Sequence, residues 1–329
     1  MIISRTPFRI SFVGGGSDIE SFYSQHQGAV LSTSIDKYMY ISSHKFFAKE
    51  EIQVKYSQTE TVDNVEKLKH PILRETIKKF NISGGLEISS IADIPAGTGM
   101  GSSSSFTVGL LHNLYAIKRK YVTKEILAHE ACEIEIDILK EPIGKQDQYA
   151  AAFGGLNILH FNKDGSVKVE PLYIKEAVFE TLQENLIMFY IGNKRSASGI
   201  LSEQKKNISS GKEFENLKAM VSLVFDMRDA LYKEHLDDFG KILHENWILK
   251  QQLASQISND QINQIYSTAL KNGASGGKLL GAGGGGFMLF YCEKSKQKKL
   301  QDALHPLNTF NFKFERDGSK LIYFGDEQL

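Results

Sequence analysis

Residues 95–105 combine side chains and backbone suited to binding a phosphate group. Gly97, Gly99 and Gly101 stand directly before four serines, and an apolar helical pattern begins at Phe106. Glycines permit a tight turn that points successive N–H groups at one anion, and the start of a helix adds unpaired donors and a positive dipole end. A flexible linker is the alternative, but a linker would not lead at once into a helix with a packed face. The lysine-containing nucleotide loop is absent, so any phosphate here is bound without a loop lysine.

Residues 6–18 are typical of a strand that ends in three glycines, a serine and Asp18. Such an ending lets a ligand approach the backbone closely, while the Asp18 carboxylate accepts hydrogen bonds from hydroxyl groups. A hairpin turn with Asp18 as the N-cap of a short helix over 19–23 is the alternative, and the two roles are compatible. The predicted substrate contacts in this segment are Gly15, Gly16, Ser17 and Asp18.

Lys145 and Asp147 lie two positions apart in a segment that starts at Pro142. In this arrangement an ammonium group can keep the carboxylate ionised while the carboxylate takes a proton from a substrate hydroxyl. Lys-x-Asp pairs are more often solvated surface charges, so this pair predicts catalysis only together with the other segments.

The helix predicted over 123–140 places one acidic residue, Glu135, on its packed side. The polar face holds Glu130, Glu133 and Asp137, whereas the packed side holds Glu135 with Ala128, Ala131 and Ile138. A carboxylate on a packed side needs a partner, and beside a phosphate site Mg²⁺ is the natural one. A buried ion pair with a lysine or arginine is the alternative.

Glycines dominate residues 276–286, just before an apolar strand pattern. So many glycines are hardly compatible with a stable helix or strand, and they predict a backbone-lined turn that faces a bulky group. A purely structural turn would need only one or two glycines. We therefore predict that Gly283 and Gly284 contact the substrate.

The overall composition excludes several classes of function. Lys plus Arg and Asp plus Glu both number 39, so the chain has neither a nucleic-acid footprint nor a polybasic membrane anchor. Cys132 and Cys292 fit no metal-ligand spacing and are expected to be reduced, buried thiols. No signal peptide or membrane-spanning stretch is recognised, which favours the cytoplasm. Helix stripes in the second half could face a core or a partner, so a homodimer stays open.

The elements that must position these groups are strands and helices in two domains. The 329 residues are long enough for two domains, and a turn-like stretch places a soft boundary near 165–180. Strands are predicted over 10–13, 38–47, 52–56, 86–91, 186–191, 287–292, 310–314 and 320–324. Helices are predicted over 103–118 and 123–140, with a helix-rich block over 214–272.

The four glycine-containing segments resemble the motifs of the GHMP small-molecule kinases, in the order of that family and across residues 5–286. Within the family, residues 6–18, 31–38 and 144–150 are most similar to the heptose 7-phosphate kinases. The resemblance implies an α+β, two-domain GHMP kinase fold with the active site in the cleft between the domains. A ribosomal-protein-S5-like N-terminal domain would cover 1–170, and a ferredoxin-like C-terminal domain would cover 171–329.

The resemblance also implies roles for individual residues. Asp147 takes the place of the catalytic aspartate, with Lys145 beside it, and Ser103 and Glu135 take the places of Mg²⁺ ligands. The predicted contacts with ATP are Pro95, Gly97, Gly99, Met100, Gly101, Ser102, Ser103 and Ser104. The cations predicted to bind a substrate phosphate are Lys194 and Arg195, after the strand predicted over 186–191, with Arg9 and Arg5 as further candidates.

The implied activity is that of an ATP- and Mg²⁺-dependent sugar kinase, a phosphotransferase with an alcohol group as acceptor. It would phosphorylate the anomeric C1 hydroxyl of D-glycero-D-manno-heptose 7-phosphate to the 1,7-bisphosphate, for the synthesis of a nucleotide-activated heptose. A kinase of a free sugar, such as fucose or galactose, is one alternative. A catalytically silent sensor of sugar or nucleotide is another, although the intact set Ser103, Glu135, Lys145 and Asp147 disfavours it.

Overall fold

A computed structural model describes residues 1–192, 197–207 and 211–325. Within these ranges the chain forms two sheets and a set of helices, as the α+β class predicts. The strands are β1 (Ile2–Val13), β2 (Gly28–Lys45), β3 (Ile52–Lys55), β4 (Thr59–Val62), β5 (Leu86–Ala92), β6 (Leu156–Phe161), β7 (Val167–Pro171), β8 (Leu186–Gly192), β9 (Ala274–Leu279), β10 (Gly286–Cys292), β11 (Asn308–Thr309), β12 (Phe314–Glu315) and β13 (Lys320–Phe324).

The helices surround these sheets and carry most of the remaining chain. They are α1 (Glu20–Tyr23), α2 (Pro71–Lys79), α3 (Ser102–Ile117), α4 (Lys124–Cys132), α5 (Gln146–Phe153), α6 (Glu176–Asn185), α7 (Ala197–Asn207), α8 (Lys212–Tyr232), α9 (Leu236–Lys250), α10 (Asp260–Lys271) and α11 (Gln297–Ala303). A π-helical turn, Glu133–Ile138, continues α4, and short 3₁₀ turns span Val65–Lys67 and Lys294–Lys296. No helix within the described ranges is both long enough and apolar enough to cross a membrane.

The first sheet has the order β13-β1-β2-β5-β3-β4, with β12 and β6 also paired to β2, and β7 paired to β6. The second sheet has the order β11-β8-β10-β9. The last two strands therefore return to the first sheet, after the chain has built the second. The predicted division of the chain near residue 170 stays a prediction.

Strand β1 shows how the fold separates the core from the site. Side chains alternate between the two faces of a strand, so Phe8, Ile10 and Phe12 share one face while Arg9 and Ser11 share the other. The three apolar side chains are fully buried, and the two polar ones line a cleft. The end of β1 is thus a core element on one side and a wall of the cleft on the other.

Most predicted elements are confirmed, including the cap of the helix predicted to begin at residue 123. The Thr123 side chain accepts a hydrogen bond from the Ile126 N–H group at 3.3 Å, and α4 begins at the next residue. The second half of that helix differs from the prediction because it is π-helical, which changes the angle between successive side chains. Ile138, predicted on the packed side, is consequently 53% exposed.

Two predictions about strands are wrong. The strand predicted over 310–314 is replaced by the short β11 and β12 on either side of it. The glycines at 276 and 277, predicted to lie in a turn, lie in β9. A Cβ on Gly276 would stand 1.9 Å from the carbonyl oxygen of Gly240 in α9, and one on Gly277 would stand 2.6 Å from the carbonyl oxygen of Leu289. These glycines let a helix and a strand pack directly against the β9 backbone.

Candidate active site

A cleft of about 250 Å³ gathers groups from distant parts of the sequence. Its walls come from β1 and the turn after it, residues 97–104, the start of α5, helix α7, the end of α9 and the turn after β9. The predicted site residues that line it are Arg9, Gly15, Gly16, Asp18, Gly97, Gly99, Gly101, Ser102, Ser103, Ser104 and Asp147. The fold therefore unites most of the site that the sequence predicts.

The phosphate loop, residues 97–101, runs directly into the first turn of α3. Gly97, Gly99 and Gly101 all have left-handed φ angles, of 78°, 86° and 73°, which other residues rarely adopt. Helix α3 begins at the next residue, Ser102, so its unpaired N–H groups face the cleft end of the loop. This is the arrangement that binds anions at helix N-termini.

Arg9 and Asp147 form a two-pronged ion pair on the floor of the cleft. The Arg9 Nε donates to Asp147 Oδ1 at 2.7 Å, and Arg9 Nη2 donates to Asp147 Oδ2 at 2.8 Å. The remaining nitrogen, Nη1, donates to the Gly99 carbonyl oxygen at 2.7 Å. A buried guanidinium bound at two points fixes both the position and the orientation of the carboxylate.

Asp147 also lies against the phosphate loop. It is the second residue of α5, and its side chain is 24% exposed. A Cβ on Gly101 would stand only 3.1 Å from Asp147 Oδ2. The absence of a side chain at Gly101 therefore lets the carboxylate approach the place where a phosphate would bind.

Glu135 lies in the π-helical turn after α4, and its fully buried carboxylate contacts the first turn of α3. Its Oε1 accepts a hydrogen bond from Ser103 Oγ at 2.6 Å, and its Oε2 accepts one from Gln148 Nε2 at 2.7 Å. Burial raises the pKa of Glu135 to about 7, although the hydrogen bonds from Ser103, Ser104 and Gln148 oppose the shift. The alternative to a metal partner, an ion pair with a lysine or arginine, is absent among the described residues.

Asp18 is held by the start of α5, and the alternative interpretation, in which it caps the following helix, is not observed. Helix α1 has Ile19 as N-cap and no side-chain cap. The Asp18 carboxylate accepts hydrogen bonds from the Gln146 backbone N–H at 3.2 Å, from Gln146 Nε2 at 3.1 Å and from the Gly16 N–H at 2.9 Å. Burial, followed by the nearby charge of Asp147, raises the pKa of Asp18.

Lys145 does not hold Asp147, contrary to the prediction. Its Nζ donates to the Gly165 carbonyl oxygen at 2.6 Å and lies 4.9 Å from the centre of the Tyr23 ring. The reason is that Lys145 precedes α5 and points away from the cleft, whereas Asp147 lies inside the first turn. Arg9, which the sequence suggested only as a substrate cation, takes the place next to Asp147.

Several other predicted residues lie beside the cleft rather than in it. Among the described residues, Pro95, Met100, Ser17, Gly283 and Gly284 are not part of its lining. A Cβ on Gly283 would stand 2.7 Å from the Ile257 Cα, so this glycine permits backbone packing. Arg5 lies over the Tyr38 ring and pairs with Glu315 at 3.5 Å. Lys194 and Arg195 lie outside the described residues.

Sequence reasoning missed several polar groups near the cleft, among them Gln146, Gln148 and Lys250. Gln148 fixes Glu135, and Gln146 fixes Asp18. Lys250 lines the cleft from the end of α9, although it is 5% exposed. A pattern for Lys250 was present in the sequence, because it continues the apolar spacing of Leu243 and Trp247 along one face of the helix.

Two family models match the chain on either side of this cleft. The model described as GHMP kinases N terminal domain matches residues 66–155, and the one described as GHMP kinases C terminal matches residues 227–306. The chain belongs to the GHMP kinase family. The resemblance drawn from the motifs is therefore confirmed, together with the two-domain GHMP kinase fold.

Several relatives of this GHMP kinase match it over almost their full length. A D-glycero-alpha-D-manno-heptose 7-phosphate kinase from Campylobacter jejuni is 30% identical, over 97% of this chain and 98% of the relative. A galactokinase from Pyrococcus furiosus is 26% identical over 92% of each chain. The crystal structure of a D-glycero-D-manno-heptose 1-phosphate kinase from Bacteroides thetaiotaomicron has a TM-score of 0.81 at 24% identity, covering 99% of this chain and 100% of that one.

Family membership confirms the predicted class of reaction, phosphoryl transfer from ATP. The two cysteines of this GHMP kinase, Cys132 and Cys292, are free and buried, as predicted. Burial raises the pKa of both thiols, so neither is a reactive thiolate.

Proposed function

We propose that this sugar kinase transfers the γ-phosphoryl group of ATP to the anomeric C1 hydroxyl of D-glycero-D-manno-heptose 7-phosphate, which yields the 1,7-bisphosphate. The observation that carries the proposal is the full-length likeness to the Campylobacter jejuni kinase named for that heptose phosphate. The product would supply the synthesis of a nucleotide-activated heptose. The enzyme's need for ATP favours the cytoplasm as the place of the reaction.

Asp147 is the proposed catalytic residue. Its carboxylate takes the proton of the C1 hydroxyl as the hydroxyl oxygen forms a bond to the γ-phosphorus and the bond from that phosphorus to ADP breaks. Arg9 keeps the carboxylate in place through its two hydrogen bonds. The phosphate loop, with the first turn of α3, binds the phosphates of ATP.

Ser103 and Glu135 are the proposed ligands of Mg²⁺. The fit is supported by the chemistry of the pair, a hydroxyl and a buried carboxylate 2.6 Å apart beside the phosphate loop, because Mg²⁺ takes oxygen ligands and binds through few carboxylates plus substrate phosphates. When bound, the ion would neutralise charge on the phosphate oxygens.

Asp18 and Gln146 are the proposed contacts for sugar hydroxyls. Both line the cleft, and the buried Gln146 Oε1 has no hydrogen-bond partner among the described residues. A buried carbonyl oxygen without a donor is costly, so a ligand hydroxyl there would relieve it. Lys194 and Arg195 remain the proposed contacts for the 7-phosphate.

A kinase of a free sugar is the second candidate, since the Pyrococcus furiosus galactokinase matches over 92% of this chain. The two candidates separate in an assay of ATP consumption with Mg²⁺. The panel would contain D-glycero-D-manno-heptose 7-phosphate, sedoheptulose 7-phosphate, mannose 6-phosphate, fucose and galactose. We expect turnover with the aldoheptose phosphate alone; turnover with a free hexose and none with the heptose phosphate would overturn the proposal.

A further inference from the structure

Lys250 is an unusual residue for the buried side of a helix. It stands at the end of α9, in line with Leu243, Asn246 and Trp247, and all four are buried. Its Nζ reaches the cleft and donates one hydrogen bond, to the Gly281 carbonyl oxygen at 2.5 Å. An ammonium group has three donors, so two remain for another partner.

The charge on Lys250 is not balanced by an ion pair with any described carboxylate. Burial, with the nearby charge of Arg9, lowers the pKa of Lys250 to about 8, while Asp18 and Asp147 act in the opposite direction. Burying a cation without a paired anion costs free energy, and nothing in the packing of α9 offsets this cost at Lys250. A negatively charged ligand in the cleft would remove this cost.

The contacts of Lys250 indicate which ligand group it faces. Gly281, which it binds, packs against the phosphate loop so closely that a Cβ on Gly281 would stand 2.4 Å from the Gly99 Cα. The Gly99 carbonyl oxygen in turn accepts a hydrogen bond from Arg9, the partner of Asp147. Lys250 thus lies where the phosphate loop meets the proposed catalytic carboxylate. A group in transfer from ATP to the acceptor passes through this place.

Arg9 is already engaged, because three of its five N–H donors bind Asp147 or Gly99 and its charge is paired with the Asp147 carboxylate. The phosphate loop has no lysine, and Ser103 and Glu135 bring no positive charge of their own. Phosphoryl transfer nevertheless depends on cations that neutralise the charge on the transferred group.

We propose that Lys250 is a further catalytic residue, whose ammonium group binds the γ-phosphoryl oxygens of ATP during transfer. It supplies from α9 the lysine that the phosphate loop lacks. The inference rests on the proposed place of ATP in the cleft, but not on the identity of the sugar.

Nucleotide binding tests this inference without any acceptor. The dissociation constants of ADP and of the non-hydrolysable analogue AMPPNP, both with Mg²⁺, would be measured for the wild type and for Lys250→Met. We expect the AMPPNP constant to rise about tenfold or more and the ADP constant to change less than about twofold, because only AMPPNP carries the third phosphate. With the accepted sugar, kcat should fall on the order of 10²-fold while the acceptor KM changes less than about threefold.

Lys278→Met is the matched control. Lys278 is also fully buried, but its Nζ donates to the Ser11 and Phe12 carbonyl oxygens and does not line the cleft among the described residues. We expect this variant to lose thermal stability and to keep the wild-type ratio of the two nucleotide constants.

Three results would overturn the inference. They are an equal loss of ADP and AMPPNP binding in Lys250→Met, no change in either, and a selective rise in the KM of a sugar phosphate, which would make Lys250 a contact of the acceptor's own phosphate. If Lys250→Met does not fold, a protection experiment on the wild-type protein tests the inference instead. Reductive methylation of Lys250, followed by peptide mass spectrometry, should be slowed by Mg²⁺ with AMPPNP and not with ADP, and equal protection would refute the role.

Discussion

Two glycine-rich segments meet in this molecule, the phosphate loop at residues 97–101 and the glycine turn at residues 280–286. In the first, Gly101 faces the Asp147 carboxylate, and a helix start follows at once. In the second, Gly283 and Gly286 face the backbone of Ile257 and Thr98, and a buried strand follows. The glycine turn also contributes Gly281 and Ala282 to the cleft. Glycine content alone therefore does not show whether a position faces the cleft or packs against backbone.

The largest effect is expected where the phosphate loop meets the proposed base. Asp147→Asn keeps the shape of the side chain but cannot take a proton, so kcat should fall on the order of 10³-fold. Steady-state kinetics with Mg-ATP would measure it. Asp226→Asn, on an exposed part of α8, is the control and should keep the wild-type rate. If Asp147→Asn kept most of the wild-type turnover, Asp147 would not be the base.

The comparison of the two segments predicts opposite results for the same substitution. Gly101→Ala puts a methyl group 3.1 Å from Asp147 Oδ2 at a φ of +73°, and a displaced catalytic group costs on the order of 10²-fold in kcat. Gly283→Ala, at a φ of +131° and against Ile257, should instead lower the free energy of unfolding by at least about 1 kcal/mol.

The kcat and the melting temperature of both variants would be measured side by side. We expect Gly283→Ala to keep kcat within about threefold at a temperature where it is folded. If Gly283→Ala lost activity while remaining as stable as the wild type, the glycine turn would be a substrate contact after all.

Glu135, beside the phosphate loop, makes the stability of the metal-free protein depend on pH. The fold raises the pKa of Glu135 from 4.5 to about 7. At a pH between these two values, the folded state therefore keeps a proton on Glu135 that the unfolded state has released. The free energy of unfolding should consequently fall as pH rises from 4.5 to 7, by roughly 3 kcal/mol from this residue.

Glu135→Gln should remove that contribution. Denaturant titrations at pH 4.5 and pH 7.5, without Mg²⁺, would give the difference in stability between the wild type and the variant at each pH. The contributions of the other carboxylates cancel in this difference. We expect the wild type to lose stability relative to the variant as pH rises. A difference that does not depend on pH would mean that the fold does not raise the pKa of Glu135.

The smallest effect on catalysis is expected for Lys145→Met. Its Nζ binds the Gly165 carbonyl oxygen and not Asp147, so kcat should stay within about threefold, with a loss of about 1 kcal/mol of stability. Arg9→Met is the informative partner, because it leaves Asp147 without its ion pair and should greatly reduce kcat. Equal losses of kcat in both variants would restore the role that the sequence suggested for Lys145.

The sequence predicts those parts of the site that lie within one segment. The phosphate loop, the start of α3 and the capped helix α4 depend on neighbouring residues, and their patterns are local. The pairing of Arg9 with Asp147 joins residues 138 positions apart, and no pattern in one segment can show which of two nearby cations reaches a carboxylate. Lys145 is near Asp147 in sequence, whereas Arg9 is near it in space.

The same distinction applies to the fold. The long strand β2 was predicted only in its second half, because its first half, from Gly28, is buried by strands far along the chain and lacks the usual alternation. The π-helical turn after α4 has no local pattern at all. The sequence alone does not identify Lys250, because a lysine within an apolar helical face indicates a functional group only when the cleft beside it is known.

The return of β12 and β13 to the first sheet has a consequence for the order in which the molecule folds. β13 pairs with β1, and the Gly325 N–H donates to the Met1 carbonyl oxygen at 2.9 Å. Strand β1 is therefore synthesised long before the strand that covers this edge. The pairing of β1 with β13 cannot form until translation has passed residue 324, so a nascent chain of this kinase carries an uncovered edge of β1 until then.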